Sequence, residues 1–209
     1  MMLHIPDVLT RQQVTAIRTA IDAADWVDGR ATAGSQGARV KRNRQLPEDS
    51  PVALEQGRTI EQALAANALY FSAALPARTM SPLFNRYADS ETYGLHVDAP
   101  IMGEPNHVRS DVSFTLFLNE PDAYQGGELA FETGSGESAY KLPARSAICY
   151  PTGQLHRVRP VEQGERLAVV GWVQSLVREP AVREMLYDLS EAREHLIGKE
   201  GTQRALDLL

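Results

Sequence analysis

His96 and Asp98 stand two positions apart in the stretch TYGLHVDAP. On an extended chain residues i and i+2 point to one face, so the pair can aim an imidazole and a carboxylate at a single point. A cation held there needs a third ligand. Of the other histidines, His4 lies in a terminal segment, His107 in a loop rich in Gly, Pro and Asn, and His195 in a helical stretch. His156, in YPTGQLHRVRP, lies in a β-region beside a tight turn, so His96, Asp98 and His156 form the candidate metal and catalytic set. Two histidines and one carboxylate leave half of an octahedral sphere open, which suits Fe(II) and oxygen chemistry. The same donors would also suit zinc with a bound water.

Arg166 separates the two chemistries. Ten residues after His156, it shares a strand face with Ala168, Val170 and Trp172, surroundings in which an unpaired guanidinium is costly. It needs an anion. Fe(II), Asp98 and Arg166 together leave a surplus of about two positive charges in a low-dielectric pocket, which a dianion would neutralise. 2-Oxoglutarate is such a dianion: its keto-acid end can chelate iron while its distal carboxylate pairs with Arg166. A zinc hydrolase has no evident use for that arginine.

The elements that must position these residues are legible in the periodicity. Thr10 and Gln13 form a capping-box pattern, and Val14, Ile17, Ile21 and Ala24 follow at helical spacing, predicting a helix over 11–25. A second helix is expected from Ser50-Pro51 through IEQALAANALYFSAAL. Between them the basic segment 30–44, with Arg30, Arg39, Lys41, Arg42 and Arg44, reads as a solvated loop or edge strand that could form part of a substrate mouth. From 80 to 176 the period is two, and short strands alternate with turn-rich segments such as NEPDAYQGG and ETGSGES. That rhythm predicts an antiparallel sandwich or barrel. Gly126-Gly127 reads as a turn or bulge, Cys149 and Trp172 as core. After Glu179-Pro180 the helical period returns, giving a tail that packs on the core or on a second subunit. The expected organisation is one domain over 1–178 and a helical extension over 179–209.

The composition excludes several classes. The chain has 209 residues, 43% hydrophobic and 23% charged, ordinary for a globular protein. A net charge of −6 gives a nucleic-acid partner no electrostatic support. The single cysteine excludes an internal disulfide, and the N-terminus lacks the features of a secretory signal. No apolar run is long enough to span a membrane, so a cytoplasmic location is expected.

The ordered set Asn85-Arg86-Tyr87, Tyr93-x-x-His96-x-Asp98, FTLFLNE, Gly126-Gly127-Glu128-Leu129, His156 and Arg166 resembles the Fe(II)/2-oxoglutarate dioxygenases of the prolyl 4-hydroxylase type. More closely it is similar to the bacterial PKHD-type hydroxylases, over nearly the whole chain, including ARVKRNRQL and the tail. The resemblance implies a mainly β fold, a double-stranded β-helix (jelly-roll) core with flanking helices. It implies Fe(2+) on His96, Asp98 and His156, 2-oxoglutarate on Arg166, L-ascorbate as reductant, and O2 as co-reactant. Tyr87 is similar in position to a family tyrosine that hydrogen-bonds the cosubstrate. Many relatives carry a hydroxyl two residues after the arginine, where this chain has Ala168, so Tyr87 or Tyr150 would have to supply it. The implied activity is hydroxylation with oxidative decarboxylation of 2-oxoglutarate to succinate and CO2. The substrate, a siderophore-related or other small molecule or a peptidyl residue, is left open, and the amphipathic tail suggests a homodimer. The alternatives are a non-catalytic jelly-roll binding protein and a nucleic-acid demethylase. Relatives of the latter kind usually carry a second arginine where this chain has Trp172.

Overall fold

The computed structural model describes residues 1–34, 37–103, 105–199 and 201–208. Two residues of the basic 30–44 segment and two of the tail therefore lie outside the described residues. The first helix, Arg11–Asp22, starts on the expected capping box: the Gln13 amide donates to Thr10 Oγ1 at 3.1 Å, and the Thr10 amide to Gln13 Oε1 at 2.8 Å. Val14, Ile17 and Ile21 are its buried stripe. It stops three residues short of the expected 25, because the Trp26 indole donates to the Ile21 carbonyl and turns the chain away. The second expected helix is two, Pro51–Ala65 and Ala68–Ala74. Apolar density hid the break at Asn67, whose side chain caps the second helix by accepting from the Tyr70 amide at 2.9 Å.

Eight antiparallel strands make the core, and the chain shuttles between two facing sheets. In the larger sheet Ala147–Pro151, Val112–Phe117, Arg166–Ser175 and Leu83–Tyr87 lie side by side in that order. In the smaller sheet the order is Gly136–Tyr140, Leu129–Thr133, His156–Val158 and Thr92–His96. This is a double-stranded β-helix. Short strands extend both edges: Lys41–Arg42 pairs with Thr92–His96, and Arg44–Gln45 with Leu83–Tyr87.

Both faces of the larger sheet are covered, and its strands divide their residues accordingly. Phe114, Leu116, Leu167, Val169 and Val173 pack with the helical stripe of Val14, Ile17, Ile21, Ile60 and Leu64 in one apolar core. A second core, with Phe117, Leu129, Phe131, Ile148, Tyr150 and Val158, lies between the sheets. Alternation puts Ser113 and Thr115 on the inner side with Phe117, and Arg166 on the inner side with Val170 and Trp172. Every residue of Val112–Phe117 is buried, so its polar members must find partners inside the barrel. The tail helix Pro180–Leu196 docks through Arg183, whose guanidinium donates to the Val177 and Arg178 carbonyls at 2.7 and 2.9 Å. Among the described residues no helix is long and apolar enough to cross a membrane.

Candidate metal centre

His96 and His156 are direct cross-strand partners in the smaller sheet, which sets their rings 4.2 Å apart, centroid to centroid. Asp98 follows just beyond the end of the first strand. Its Oδ1 lies 3.8 Å from His96 Nε2 and 3.9 Å from His156 Nε2, and the three donor atoms fall within 4.8 Å of one another. Each imidazole is held by its far nitrogen: His96 Nδ1 is 2.7 Å from the Gly94 carbonyl, and His156 Nδ1 is 2.8 Å from the Gln154 carbonyl. A carbonyl can only accept, so both Nδ1 atoms carry the proton and both Nε2 lone pairs face the shared point. Burial, and then the neighbouring His156, holds His96 well below the ordinary histidine range, so it is neutral and able to donate its lone pair at pH 7.

Asp98 is oriented by a chain of hydroxyls. Ser113 donates to Asp98 Oδ2 at 2.7 Å, which leaves Oδ1 for the cation. One hydroxyl has one proton. Ser113 also faces Thr152 Oγ1 as a donor at 3.2 Å, so the two acceptors compete for that proton and the shorter, charged contact to Asp98 takes it; Thr152 lies 2.9 Å from Ser110. All three are buried. Tyr93 stacks on the His96 ring at 3.6 Å with an interplanar angle of 16°, fixing its plane.

Arg166 is 1% exposed, and its Nε and one terminal nitrogen have no hydrogen-bond partner. Among the described residues no carboxylate pairs with it. Glu165, next in sequence, points to the other face and pairs with Arg86. Tyr87 is its cross-strand partner, and the guanidinium lies between aromatic neighbours, 5.2 Å from the Tyr87 ring centre and 5.5 Å from that of Phe117. Gly127 makes room for it. Its φ is +68°, and a Cβ there would fall 2.9 Å from both Tyr124 and Val161 and 3.2 Å from Arg166 Cδ. The expected bulge at Gly126-Gly127 is present as a register shift between Gln125 and Gly126.

One cavity of about 900 Å³ joins these groups, lined by His96, Asp98, His156, Arg166, Tyr87 and Tyr150, with Trp172, Val97 and Ile101 among its apolar walls. The donor set fits a hard or borderline divalent cation, and the partnerless guanidinium fits a carboxylate.

Residues 82–174 match the 2OG-Fe(II) oxygenase superfamily model. A PKHD-type hydroxylase of Burkholderia thailandensis is 52% identical over 98% of this chain and 92% of its own length. The chain belongs to the PKHD-type hydroxylases. As a PKHD-type hydroxylase it is an Fe(II)/2-oxoglutarate dioxygenase, and its fold agrees. A Pseudomonas putida prolyl-4-hydroxylase superposes with a TM-score of 0.57 at 21% identity, covering 84% of this chain and 93% of that one. A prolyl hydroxylase from Trichoplax adhaerens, in complex with a hypoxia-inducible-factor peptide, superposes with a TM-score of 0.64 at 12% identity, covering 90% of this chain and 86% of that one.

Several cavity residues of this PKHD-type hydroxylase escaped the sequence reading. Trp172, expected in the core, is half-buried on the cavity wall, because it shares the inner face with Arg166. The 30–44 segment, read as a solvated loop or edge strand, supplies the edge strand Lys41–Arg42 and the strand Arg44–Gln45, but one side of it is not solvated. Lys41, Asn43 and Gln45 are buried while Arg42 and Arg44 are exposed, so the strands turn one polar face inward. The strict alternation in KRNRQ was the available signal. His107 lines the cavity without joining the metal set.

Proposed function

We propose that His96, Asp98 and His156 hold Fe(II), that Arg166 takes the distal carboxylate of 2-oxoglutarate, and that Tyr87 closes over that carboxylate from the adjacent strand. The observation that carries this reading is a three-donor cluster and a buried, anion-seeking guanidinium in the same cavity. The bound iron and cosubstrate supply an oxidation in which O2 is consumed, 2-oxoglutarate becomes succinate and CO2, and a substrate C–H becomes C–OH. The protein supplies position and environment. The Gly94 and Gln154 carbonyls keep both Nε2 atoms turned inward, Ser113 keeps one Asp98 oxygen free, and Arg166 fixes the cosubstrate end on. Leu129, Val158 and Val170 keep the inner wall apolar, so water is excluded as the cavity fills.

The substrate we infer is a small molecule, siderophore-related compounds included, or a peptidyl residue reaching the metal through the cavity mouth. The peptide bound by the Trichoplax adhaerens relative supports the second class. L-Ascorbate is assigned the role of returning over-oxidised iron to Fe(II). Residues 1–178 form the catalytic unit and the tail from 179 is an extension docked on it. Exposed Met185, Leu186 and Leu189 on that tail are the face through which two copies would form a homodimer, which light scattering would report as twice the chain mass. A buried free thiol at Cys149 suits a reducing, cytoplasmic setting. The test of activity is succinate formation from 2-oxoglutarate with Fe(II) and O2, together with mass-spectrometric gain of one oxygen in a candidate substrate. Succinate above the protein-free rate supports an enzyme, and none under any iron or ascorbate condition refutes it.

A further inference from the structure

Lys41 is the one lysine lining the cavity, and it is 5% exposed. It sits opposite Tyr93 across the ladder between Lys41–Arg42 and Thr92–His96, with its ammonium 5.3 Å from the centre of the Tyr93 ring that stacks on His96. An ammonium has three protons to place. Thr32 Oγ1 accepts one at 3.0 Å, while the Gln45 amide nitrogen donates to Asn85 Oδ1 at 2.7 Å and accepts none. That acceptor is neutral. Among the described residues no carboxylate lies within ion-pair distance. Asp98 belongs to the metal set, Asp28 is paired with Arg30, and Glu48 is an exposed residue on the cavity lining. Burial accordingly pushes Lys41 down to about 8, against the pull of those three carboxylates.

The charge balance gives this cation a purpose. A divalent metal, Asp98, Arg166 and dianionic 2-oxoglutarate sum to zero, so among the described lining residues Lys41 is left with exposed Glu48, outside ion-pair distance, as its counter-charge, and the ammonium itself has no anion in contact. Holding the edge strand in place would not require a charge, since a glutamine could pack on Tyr93 and donate to Thr32 without the cost of desolvating an ammonium. Thr32 Oγ1 and the face of Tyr93 hold the ammonium on the cavity wall, next to the ring that stacks on His96.

We propose that Lys41 is a specificity-determining residue that receives a carboxylate of the substrate, so that the hydroxylated compound is an organic acid or a peptide bearing an acidic group. This rests on the reading of the cavity as an Fe(II)/2-oxoglutarate site. The experiment uses nickel-loaded protein saturated with 2-oxoglutarate, which cannot turn over, and matched neutral and anionic probes. The probes are hexanoate with hexanamide, phenylacetate with phenylacetamide, and a terminally blocked peptide containing one Asp with its Asn counterpart. Dissociation constants are measured by ligand-observed NMR for wild type, Lys41→Gln and Lys41→Arg.

The expected result is that at least one carboxylate binds wild type tenfold or more tightly than its amide, and that Lys41→Gln erases the preference while Lys41→Arg retains it. Preference confined to the free acids assigns a small-molecule substrate, and preference confined to the Asp peptide assigns a protein one. Equal binding of acid and amide by wild type, or a preference that survives in Lys41→Gln, overturns the proposal. A tenfold loss of 2-oxoglutarate affinity in Lys41→Gln also overturns it, by placing Lys41 in the cosubstrate site. If wild type with Fe(II) forms no chelate with 2-oxoglutarate, the underlying reading fails and the proposal falls with it; an intact chelate without carboxylate preference defeats the proposal alone.

Discussion

Replacing Ser113 by alanine removes one hydrogen-bond donor to the Asp98 carboxylate and nothing else that touches the candidate metal ligands. The bond is a 2.7 Å hydroxyl-to-carboxylate contact inside a fully buried strand. Hydrogen bonds to charged groups contribute about 1.5–3 kcal/mol. Partners that orient a metal ligand cost about 10- to 100-fold in metal affinity when lost, equivalent to roughly 1.4–2.7 kcal/mol, so the two scales agree. Ser113→Ala should therefore weaken Fe(II) or Co(II) binding by one to two orders of magnitude, on the order of 2 kcal/mol. The fold should persist, because the backbone ladder to Tyr150 and Trp172 is untouched. Ser110→Ala, which cuts the hydroxyl chain at its far end, should have a much smaller effect. The assay is anaerobic competition against a chromophoric chelator, with thermal unfolding of the apo-protein measured in parallel. Equal metal affinity in wild type and Ser113→Ala would refute the claim that the serine holds Asp98 for the cation. Ser110→Ala matching Ser113→Ala would refute the claim that the direct contact to Asp98 carries the effect.

Arg166→Met should raise the 2-oxoglutarate concentration needed for half-saturation by about two orders of magnitude, since truncating one member of a buried charge pair costs about 2–5 kcal/mol; titration of the anaerobic Fe(II) protein reads this. Gly127→Ala should lower stability to urea by about 1–3 kcal/mol, because a φ of +68° is strained for alanine and its Cβ meets Tyr124 and Val161 at 2.9 Å. For pH, burial depresses His96 in the folded chain, so the unfolded chain takes up a proton that the folded one refuses. Stability from this residue is present above its unfolded value of about 6.5 and is lost as the pH falls below it. The melting temperature of the apo-protein should drop between pH 7 and pH 5, and His96→Gln should flatten that slope.

The clustering of His96, Asp98 and His156 and the burial of Arg166 were legible because short-range rules decide them. A His-x-Asp pair on a strand points one way, and the period-two alternation of 166–172 places a guanidinium among apolar side chains. Ser113 was half-legible: alternation turns it away from Phe114 and Leu116, yet nothing in the sequence says that Asp98, fifteen residues earlier, lies across from it. The Lys41 face was missed because a run with five basic residues reads as solvated, whereas pairing with both sheets buries every second residue of it. The break at Asn67 and the early stop after Asp22 depend on single hydrogen bonds, from the Tyr70 amide to Asn67 and from the Trp26 indole to the Ile21 carbonyl, that periodicity cannot register. Trp172 lay on the face already assigned to Arg166, and apolar character alone had placed it in the core.

The most direct test of the central claim is the visible charge-transfer band that forms when Fe(II) chelated by 2-oxoglutarate is bound under anaerobic conditions. Wild type should show the band, His156→Ala should lose it at every iron concentration, and Arg166→Met should recover it only at high 2-oxoglutarate. A band of undiminished intensity in His156→Ala, or none in wild type, would contradict the assignment of the metal to His96, Asp98 and His156.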